Sequence, residues 1–386
     1  MHKGRYVFSQ LIDFLSRYEF DKCVKYNNGD CRVRDFSCWD QFLAMSFGQL
    51  CCRGSLRDII NCLTAHKSKH YHLGFGSPVS RSTLADANEK RPWQIYRDFA
   101  QILINQARSL YRDDPEFTLE LENTVYAFDS TTIDLCMSVF PWARFRKAKS
   151  GIKLHTQMDL RGNIPTFINI TEALTNDVCI LDDLEFESGA FYVMDRAYID
   201  TRRLYDIHLS QSFFIVRAKT NIKWKRLYSN PIDKSTGVRC DQIIRFTGMS
   251  SAGGYPEKLR RIKYYDEETK IMYTFLTNHF ALDAKLIADL YKERWKVELF
   301  FKWIKQHLEI KTFWGTSSNA VHTQVWIAVC VYVLVAIIKK TYALDKSIYE
   351  ILQILSVSLF DKTPFPSLLS HSDSHIHSDQ FQQPLF

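Results

Sequence analysis

Apolar residues recur at every third or fourth position through the first third of the chain. The clearest examples are the segments FSQLIDFLSRY, WDQFLAMSFGQLCC, SLRDIINCLTAH and WQIYRDFAQILINQARSLY. This spacing is typical of amphipathic helices that bury one face against a core. We therefore predict an all-helical N-terminal domain over residues 1–120.

The segment GSPVSRSTLADANEKR within this region contains the signal for a helix start. Ser80 or Ser82 occupies the N-cap position, and the helix that follows carries polar and basic side chains. Two interpretations fit this pattern. Helix-turn-helix proteins present such a helix to the major groove, which would make residues 1–120 a DNA-binding domain. Alternatively, the segment is an ordinary capped helix on the protein surface.

The hydrophobic period changes to two after Asn123, where β-branched and aromatic residues become frequent. Strands are predicted at TVYAFDSTTIDL, KLHTQMDLRG, IPTFINITEAL, FYVMDRAYI and SFFIVRAK. Helices are predicted between the last three of these strands, at DVCILDDLEFE and TRRLYDIHLSQ. The order β-β-β-α-β-α-β predicts an α/β fold over residues 121–220, with a mixed sheet flanked by helices.

Residues 221–280 again have a strand-like pattern, with basic clusters, and we predict a β-rich insertion there. One long helix is predicted from Ala281 to about His307, and an apolar helix from Val325 to Ile338. These helices, within residues 281–345, would complete the core of the sheet domain.

The apolar run from Val325 to Ile338 is shorter than the ~20 residues of a membrane span. We therefore expect a buried core helix and no membrane anchor. Residues 346–386 form a C-terminal segment, and its polar, repetitive tail from Ser367 is expected to be disordered.

The charge balance favours a polyanionic partner such as double-stranded DNA. The chain has 50 Lys and Arg against 43 Asp and Glu, which gives a net charge of +7 and a pI near 8.8. Its 10 cysteines are scattered and several have apolar neighbours, which indicates reduced cysteine in a cytoplasmic protein.

Two acids follow predicted strands directly. Asp129 comes after VYAF and Asp195 after FYVM, so each is expected to terminate a hydrophobic strand and face outward. A carboxylate placed in this way has the fixed direction that a metal site requires. The alternative is that each Asp forms an Asx turn or a helix cap.

A third acid, Glu298, lies in the helical segment YKERWKVELFFKWIKQHL. Tyr291, Arg294, Glu298 and Lys305 fall close to one stripe of this predicted helix. The alternative is a solvated helix with ion pairs four residues apart, from Arg294 to Glu298 and from Glu298 to Lys302.

The spacing Tyr, two residues, Arg, three residues, Glu, six residues, Lys resembles the signature of the insertion-sequence-four family of bacterial DDE transposases. Tyr291, Arg294, Glu298 and Lys305 match it at every position. The segment AFDSTTIDL around Asp129 and the β-rich insertion before Glu298 are also similar to the family. Its members often have an Arg-Glu run after the second Asp, whereas here Asp195 is followed by Arg-Ala-Tyr.

The resemblance, over residues from about 120 to 340, implies an RNase H-like catalytic domain. It identifies Asp129, Asp195 and Glu298 as the catalytic residues and as ligands of two Mg²⁺ or Mn²⁺ ions, a role that suits carboxylates. Further residues that would contact DNA are Tyr291, Arg294, Lys305, Arg196 and, in the insertion, Trp224. The implied activity is cleavage at terminal inverted repeats and joining to target DNA by a homodimer, in a bacterial, nucleoid-associated protein.

A cationic segment, ARFRKAKSGIK, follows Asp129 and would contact the DNA backbone. Its basic residues are Arg144, Arg146, Lys147, Lys149 and Lys153. The alternative is a solvated charged loop.

Other functions remain open from the sequence. The same carboxylates would serve a metal-dependent nuclease or resolvase, and the fold alone would serve a non-catalytic DNA-binding remnant of an element. Cys62, His66 and His70 could share a helix face and hold zinc, or belong to a basic surface helix. A Ser-His-Asp hydrolase lacks support because there is no Gly-x-Ser-x-Gly segment; His155 either faces the carboxylates or is structural.

Overall fold

The computed structural model describes residues 4–31, 33–112, 121–146, 149–307 and 313–369, and for 144–146, 149 and 307 it describes the backbone alone. The N-terminal helices follow the apolar periodicity. They are α1 (Val7–Ile12), α2 (Arg17–Tyr26), α3 (Cys38–Leu50), α4 (Leu56–Ala65), α5 (Arg81–Lys90) and α6 (Gln94–Tyr111). A serine side chain caps each of α2 to α5 by accepting a backbone N–H from the first turn. Helix is present in each predicted N-terminal segment, but a turn after Ile12 divides FSQLIDFLSRY, and most of α2 was not predicted.

Helix α5 begins where the sequence predicts, after Ser80, whose Oγ accepts the N–H of Thr83 at 3.2 Å. The chain from α4 to α5 is long, however, and contains two short 3-10 turns, Lys67–Lys69 and Tyr71–Leu73. A helix-turn-helix motif joins its helices by a turn of about three or four residues. The structure thus favours the second interpretation, a capped surface helix.

The predicted strands and helices of the central region occur in the predicted order, apart from one added strand and one helix of a different type. The elements are β1 (Val125–Leu135), β2 (Arg144–Arg146), β3 (Lys149–Asp159), β4 (Ile164–Glu172), β5 (Phe191–Met194), α7 (Thr201–Leu209) and β6 (Phe213–Arg217). Strands β1, β3 and β4 form an antiparallel meander, whereas β5 lies parallel to both β1 and β6. The short strand β2 was not predicted, and DVCILDDLEFE forms a 3-10 helix, Asp177–Asp183, instead of an α-helix.

The turn between β3 and β4 needs glycine. Gly162 and Asn163 both have positive φ, 73° and 55°. A side chain at Gly162 would also collide with the ring of Tyr111 at the end of α6. The turn is therefore held against the N-terminal helices.

The strands of the insertion extend the same sheet. They are β7 (Trp224–Ser229), β8 (Val238–Phe246), β9 (Leu259–Asp266) and β10 (Ile271–Thr277), with a short helix α8 (Met249–Gly254). Strand β10 pairs antiparallel with β6, so the order across the sheet is β2-β3-β1-β5-β6-β10-β9-β8-β7, and β4 pairs with β3. The β-rich character was predicted; its continuity with the sheet was not.

The C-terminal helices are α9 (Ala284–Glu293), α10 (Trp295–His307), α11 (Ser318–Thr341), α12 (Ile348–Ser358) and α13 (Phe365–Leu369). The prediction of one continuous helix from Ala281 to His307 is wrong, because the chain leaves the α-helical pattern at Arg294. The N–H of Arg294 bonds to the carbonyl of Tyr291, and the N–H of Val297 bonds to that of Arg294, both as three-residue steps. The predicted disorder from Ser367 is wrong for residues 367–369, which belong to α13; the tail beyond 369 lies outside the described part of the chain.

Helix α11 is the core helix that the apolar run predicts, although it is longer than expected. By length and composition it could cross a membrane, but nearly all of its residues are buried inside the protein. It packs against α6 and α3 on one side and β4 on another. Protein, and not lipid, therefore covers its apolar surface in this fold.

The sheet separates two clusters of buried side chains. Val125 and Ala127 of β1 pack on the face that also carries α9, α10, α11 and the N-terminal helices. Tyr126 and Phe128 face the other way, toward the 3-10 helix Asp177–Asp183 and α7. Because side chains alternate along a strand, Asp129 continues the first series and Ser130 the second.

Candidate active site

The first two acids lie side by side on neighbouring strands. Strands β1 and β5 pair in parallel up to the partners Phe128 and Met194, so Asp129 and Asp195 are the next residue on each strand. Asp195 follows the end of β5, as predicted. The expectation that Asp129 terminates its strand is wrong, because β1 continues to Leu135 through its pairing with β3.

Arg294 bridges Asp129 to the third acid. Its Nη1 donates to Asp129 Oδ2 at 2.5 Å and its Nη2 donates to Glu298 Oε1 at 2.6 Å. The Arg294 side chain is 14% exposed. Burial disfavours its charge, but the attraction of Asp129 and Glu298 outweighs burial and raises the pKa of Arg294. Burial raises the pKa of Asp129, and Arg294 opposes that shift.

Tyr291 holds the other strand-borne acid. Its ring is buried against Phe275, with a centroid distance of 4.6 Å. Its hydroxyl donates to Asp195 Oδ1 at 3.3 Å. Burial raises the pKa of the Tyr291 hydroxyl to about 12, so it stays a proton donor at neutral pH. Tyr291 and Arg294 therefore connect one acid each on the sheet to the junction of α9 and α10.

Glu298 lies in the first turn of α10 and is the most exposed of the three acids, with 55% of its side chain accessible. The Arg294–Glu298 ion pair expected of an ordinary solvated helix is present. That helix would also pair Glu298 with Lys302, but the described ion pairs do not include this one, and Lys302 is exposed. Lys305 is half-buried, about two turns beyond Glu298 on α10. A solvated helix also does not explain why Arg294 bonds to Asp129 in the sheet.

The donor chemistry of this cluster fits a divalent cation. Asp129 and Glu298 share the charge of one guanidinium, and Asp195 lies on the strand beside Asp129. Oxygen ligands of this kind suit Mg²⁺ or Mn²⁺. Across the described ranges, no three Asp, Glu, His or Cys side chains are grouped closely enough to hold an ion in the present arrangement. A cation held jointly by Asp129 and Glu298 would compete with Arg294 for their oxygens.

The remaining predicted DNA contacts are dispersed. Arg196 is exposed directly after Asp195. Trp224 is 37% exposed on β7, which five strands separate from β1, and the guanidinium of Arg261 lies 4.4 Å from its ring centroid. The structure does not bring Trp224 together with the three acids.

The cationic segment after Asp129 is only partly described. Arg144 and Arg146 belong to β2 and Lys149 begins β3, but their side chains, and all of Lys147, lie outside the described part. Lys153 is 12% exposed, and its ammonium donates to Thr175 O at 2.7 Å and pairs with Asp177 at 3.0 Å. Its predicted contact with DNA stays a prediction.

The residues of the alternative sites have other partners. The His66 ring packs on Phe360 at 3.8 Å between centroids, and His70 Nε2 bonds to Leu63 O at 2.8 Å. His155 is fully buried beside Thr171, and burial lowers its pKa to about 4. Because His155 lies on the face of the sheet opposite to Asp129, the structural interpretation applies.

Two polar residues beside Asp129 were missed from the sequence, Ser130 and Asp177. Ser130 Oγ donates to Asp177 Oδ1 at 2.6 Å. No sequence motif identifies Asp177. It lies close to Ser130 only because the β1–β3–β4 meander places the turn after β4 next to β1.

A mixed sheet that places one acid directly beyond the parallel-paired residues of each of two strands, with a third acid on a later helix, is typical of the RNase H-like class of phosphoryl-transfer enzymes. A family model described as "Transposase DDE domain" matches residues 120–334, and one described as "Domain of unknown function (DUF4372)" matches residues 3–76. The chain belongs to the DDE transposases of the insertion-sequence-four family. It is an insertion-sequence transposase, and its family implies dependence on a divalent metal.

Relatives of this chain carry transposase names. It is 32% identical over 294 residues to a putative transposase, y4zB, of Sinorhizobium fredii, covering 74% of this chain and 80% of the relative. It is 28% identical to a probable transposase for insertion sequence element IS5377 of Geobacillus stearothermophilus, covering 72% and 75%. A piggyBac transposase synaptic complex with hairpin DNA overlaps 97% of this chain and 84% of that chain at a TM-score of 0.47 and 12% identity, a likeness too weak to carry an argument.

Proposed function

We propose that this transposase cuts DNA at the terminal inverted repeats of its insertion sequence and joins the ends to target DNA, with Asp129, Asp195 and Glu298 as its catalytic residues. The observation that supports this proposal is the Arg294 bridge from Asp129 to Glu298, with Asp195 on the adjacent strand. Two Mg²⁺ or Mn²⁺ ions, when bound by these carboxylates, would activate the attacking oxygen and stabilise the leaving oxygen.

The chain's own residues would orient the reacting groups. Tyr291 fixes one oxygen of Asp195 through its hydroxyl, which leaves the other oxygen of that carboxylate for a ligand. Arg294 carries planar, paired N–H donors that match a phosphate as well as a carboxylate. We infer that Arg294 exchanges Asp129 and Glu298 for phosphate oxygens beside the scissile bond, and that Lys305 contacts the next stretch of backbone.

The partners follow from the same proposal. The protein would bind double-stranded DNA at both ends of the element and act there as a homodimer on the bacterial nucleoid. Arg196, next to Asp195, would contact the cleaved strand, and Trp224 would stack on an unpaired base. The cationic segment Arg144, Arg146, Lys147, Lys149 and Lys153 would contact backbone phosphates.

The test is DNA cleavage with a substrate that carries the sequences flanking the coding region. Asp129→Asn, Asp195→Asn and Glu298→Gln should each abolish Mg²⁺-dependent cleavage but leave binding of the DNA ends largely intact. Asp134→Asn is the matched control, because Asp134 lies on the same strand β1 and is exposed. Full cleavage by any of the three variants would show that the ligand set is wrong.

A nuclease without strand transfer would use the same carboxylates, so cleavage alone does not separate the two activities. A pre-cleaved end with a free 3′-hydroxyl separates them. The transposase should join this end to a target plasmid; a protein that cleaves but never joins would be a nuclease.

A further inference from the structure

Strand β1 presents two adjacent polar residues to opposite faces of the sheet. Asp129 faces α9 and α10, where it bonds to Arg294. Ser130 faces the other side, opposite His155 of β3 and against the 3-10 helix that begins at Asp177. Support for Asp129 can therefore come from the side of the sheet away from the candidate active site.

Lys153 holds the Asp177 carboxylate in addition to Ser130. Its Oδ1 accepts the Ser130 hydroxyl at 2.6 Å and lies 3.0 Å from the ammonium of Lys153. That ammonium also donates to the carbonyl of Thr175 at 2.7 Å. The Asp177 side chain is 26% exposed and that of Lys153 is 12% exposed, so the pair is partly shielded from water.

His155 packs beside this cluster but does not donate a hydrogen bond to the Asp177 carboxylate. The Thr171 hydroxyl donates to the Glu172 carbonyl, so it accepts from His155 Nε2, which must carry the proton. The bare Nδ1 then lies 3.9 Å from Asp177 Oδ1, too far for a hydrogen bond. Ser130 and Lys153 are left as the donors to Asp177.

The link continues from Ser130 to Asp129. The backbone N–H of Ser130 donates to Asp129 Oδ1 at 2.9 Å. The pairing of β1 with β5 stops at Phe128, so Ser130 lies just past the end of that parallel pairing. Beyond the β5 pairing, the hydrogen bond from the Ser130 hydroxyl to Asp177 adds to the pairing of Ser130 with His155 of β3 in fixing the peptide that carries this N–H.

We propose that Asp177 is a positioning residue of the active site: through Ser130 it holds the Asp129 carboxylate in the orientation that binds a divalent cation. The inference rests on the proposed role of Asp129 as a metal ligand. Polar groups that orient a ligand in this way commonly change metal affinity by about 10- to 100-fold when they are removed.

The experiment measures Mn²⁺ affinity by electron paramagnetic resonance of the full-length protein without DNA. Asp177→Ala and Ser130→Ala should each weaken Mn²⁺ binding by about tenfold or more. The double variant should be no weaker than the single variants, because both remove one linkage. Asp182→Ala is the matched control, since Asp182 belongs to the same 3-10 helix but pairs with Arg203 at the surface. It should bind Mn²⁺ as the wild type does.

The outcomes separate this inference from the proposed function. If Asp129→Ala abolishes Mn²⁺ binding while Ser130→Ala and Asp177→Ala keep wild-type affinity, Asp177 is merely structural and the proposed function stands. If Asp129→Ala binds Mn²⁺ normally, the ligand role of Asp129 is wrong and this inference is overturned with it. Should Asp177→Ala unfold in a thermal scan, Ser130→Ala decides, because it leaves the Lys153–Asp177 pair intact.

Discussion

The guanidinium of Arg294 ties Asp129, in the sheet, to Glu298, on the helix that follows. Arg294 is also the residue at which α9 ends and α10 begins. The residue at the helix junction therefore also carries the side chain that joins two of the three acids. A group that displaces Arg294 from Asp129 and Glu298 would therefore remove a link between α10 and the sheet.

Removal of this bridge should make the protein depend more strongly on metal. Arg294→Ala leaves the largely buried Asp129 without its cation, and we expect a loss of about 3 kcal/mol in the free energy of unfolding in EDTA, the low end for a buried pair. Mg²⁺ should then raise the melting temperature of Arg294→Ala more than that of the wild type, because the guanidinium no longer competes.

The control for this prediction is Arg203→Ala, which removes a guanidinium that pairs with the exposed carboxylate of Asp182. It should cost about 1 kcal/mol or less. Its melting temperature should respond to Mg²⁺ as the wild type does. An equal Mg²⁺ response of Arg294→Ala and the wild type would contradict competition between the ion and the guanidinium.

His155 should make the protein sensitive to mild acid. Burial lowers its folded-state pKa to about 4, below the ordinary value of 6.5. Between these two values the unfolded chain binds more protons than the folded one, so stability rises with pH across this window and falls on acidification. The loss from pH 7 to pH 4 is at most about 3 kcal/mol, from 1.36 kcal/mol per pKa unit. Urea unfolding at several pH values should show that the free energy of unfolding of His155→Gln depends less steeply on pH. An unchanged dependence on pH would rule out this histidine as the cause.

Removal of one partner from the buried ion pair between Arg260 of β9 and Asp241 of β8 should destabilise the insertion strands. Both side chains are 5% exposed, and Arg260 also donates to the carbonyl of Phe280 before α9. Asp241→Leu alone should destabilise the protein by about 3–5 kcal/mol, because it leaves a buried charge unpaired. The double variant Asp241→Leu with Arg260→Met should recover much of that loss. Chemical denaturation of Asp241→Leu, Arg260→Met and the double variant measures these losses, and additive losses would contradict the pairing.

Lys305 should contribute to DNA binding through its charge. Lys305→Gln should lower the affinity for terminal-repeat DNA and for unrelated DNA alike, because a phosphate contact carries no sequence information. The slope of log affinity against log salt should fall by about one. Lys22→Gln is the comparison, since Lys22 lies on α2 and pairs with Glu19. If the salt dependence of DNA binding were unchanged in Lys305→Gln, this lysine would not contact the DNA backbone.

Much of the fold could be predicted because the hydrophobic period changes clearly along the chain. The period of two after Asn123 predicts the meander, and the buried runs before Asp129 and Asp195 predict β1 and β5. The break at Arg294 could not be predicted, because two three-residue steps barely alter the apolar periodicity.

The candidate site shows the same division. The spacing from Tyr291 to Lys305 identifies the family, but spacing does not say what the side chains contact. Arg294 was predicted to contact DNA, and the structure places its side chain between Asp129 and Glu298. The cluster around Asp177 depends on strand register and on a turn that returns to β1, and neither leaves a local pattern in the sequence.

The burial of α11 limits how this gene can be shortened. The N-terminal helices, α11 and one face of the sheet share a single cluster of buried side chains. A polypeptide translated from an internal start after residue 120 would lack α3 and α6, and the flank of α11 that they cover would meet water. Such a fragment would aggregate or enter a lipid bilayer, because the helix is long and apolar enough to do so. Truncation from the 5′ end of the gene should therefore silence the element and not yield a soluble catalytic fragment.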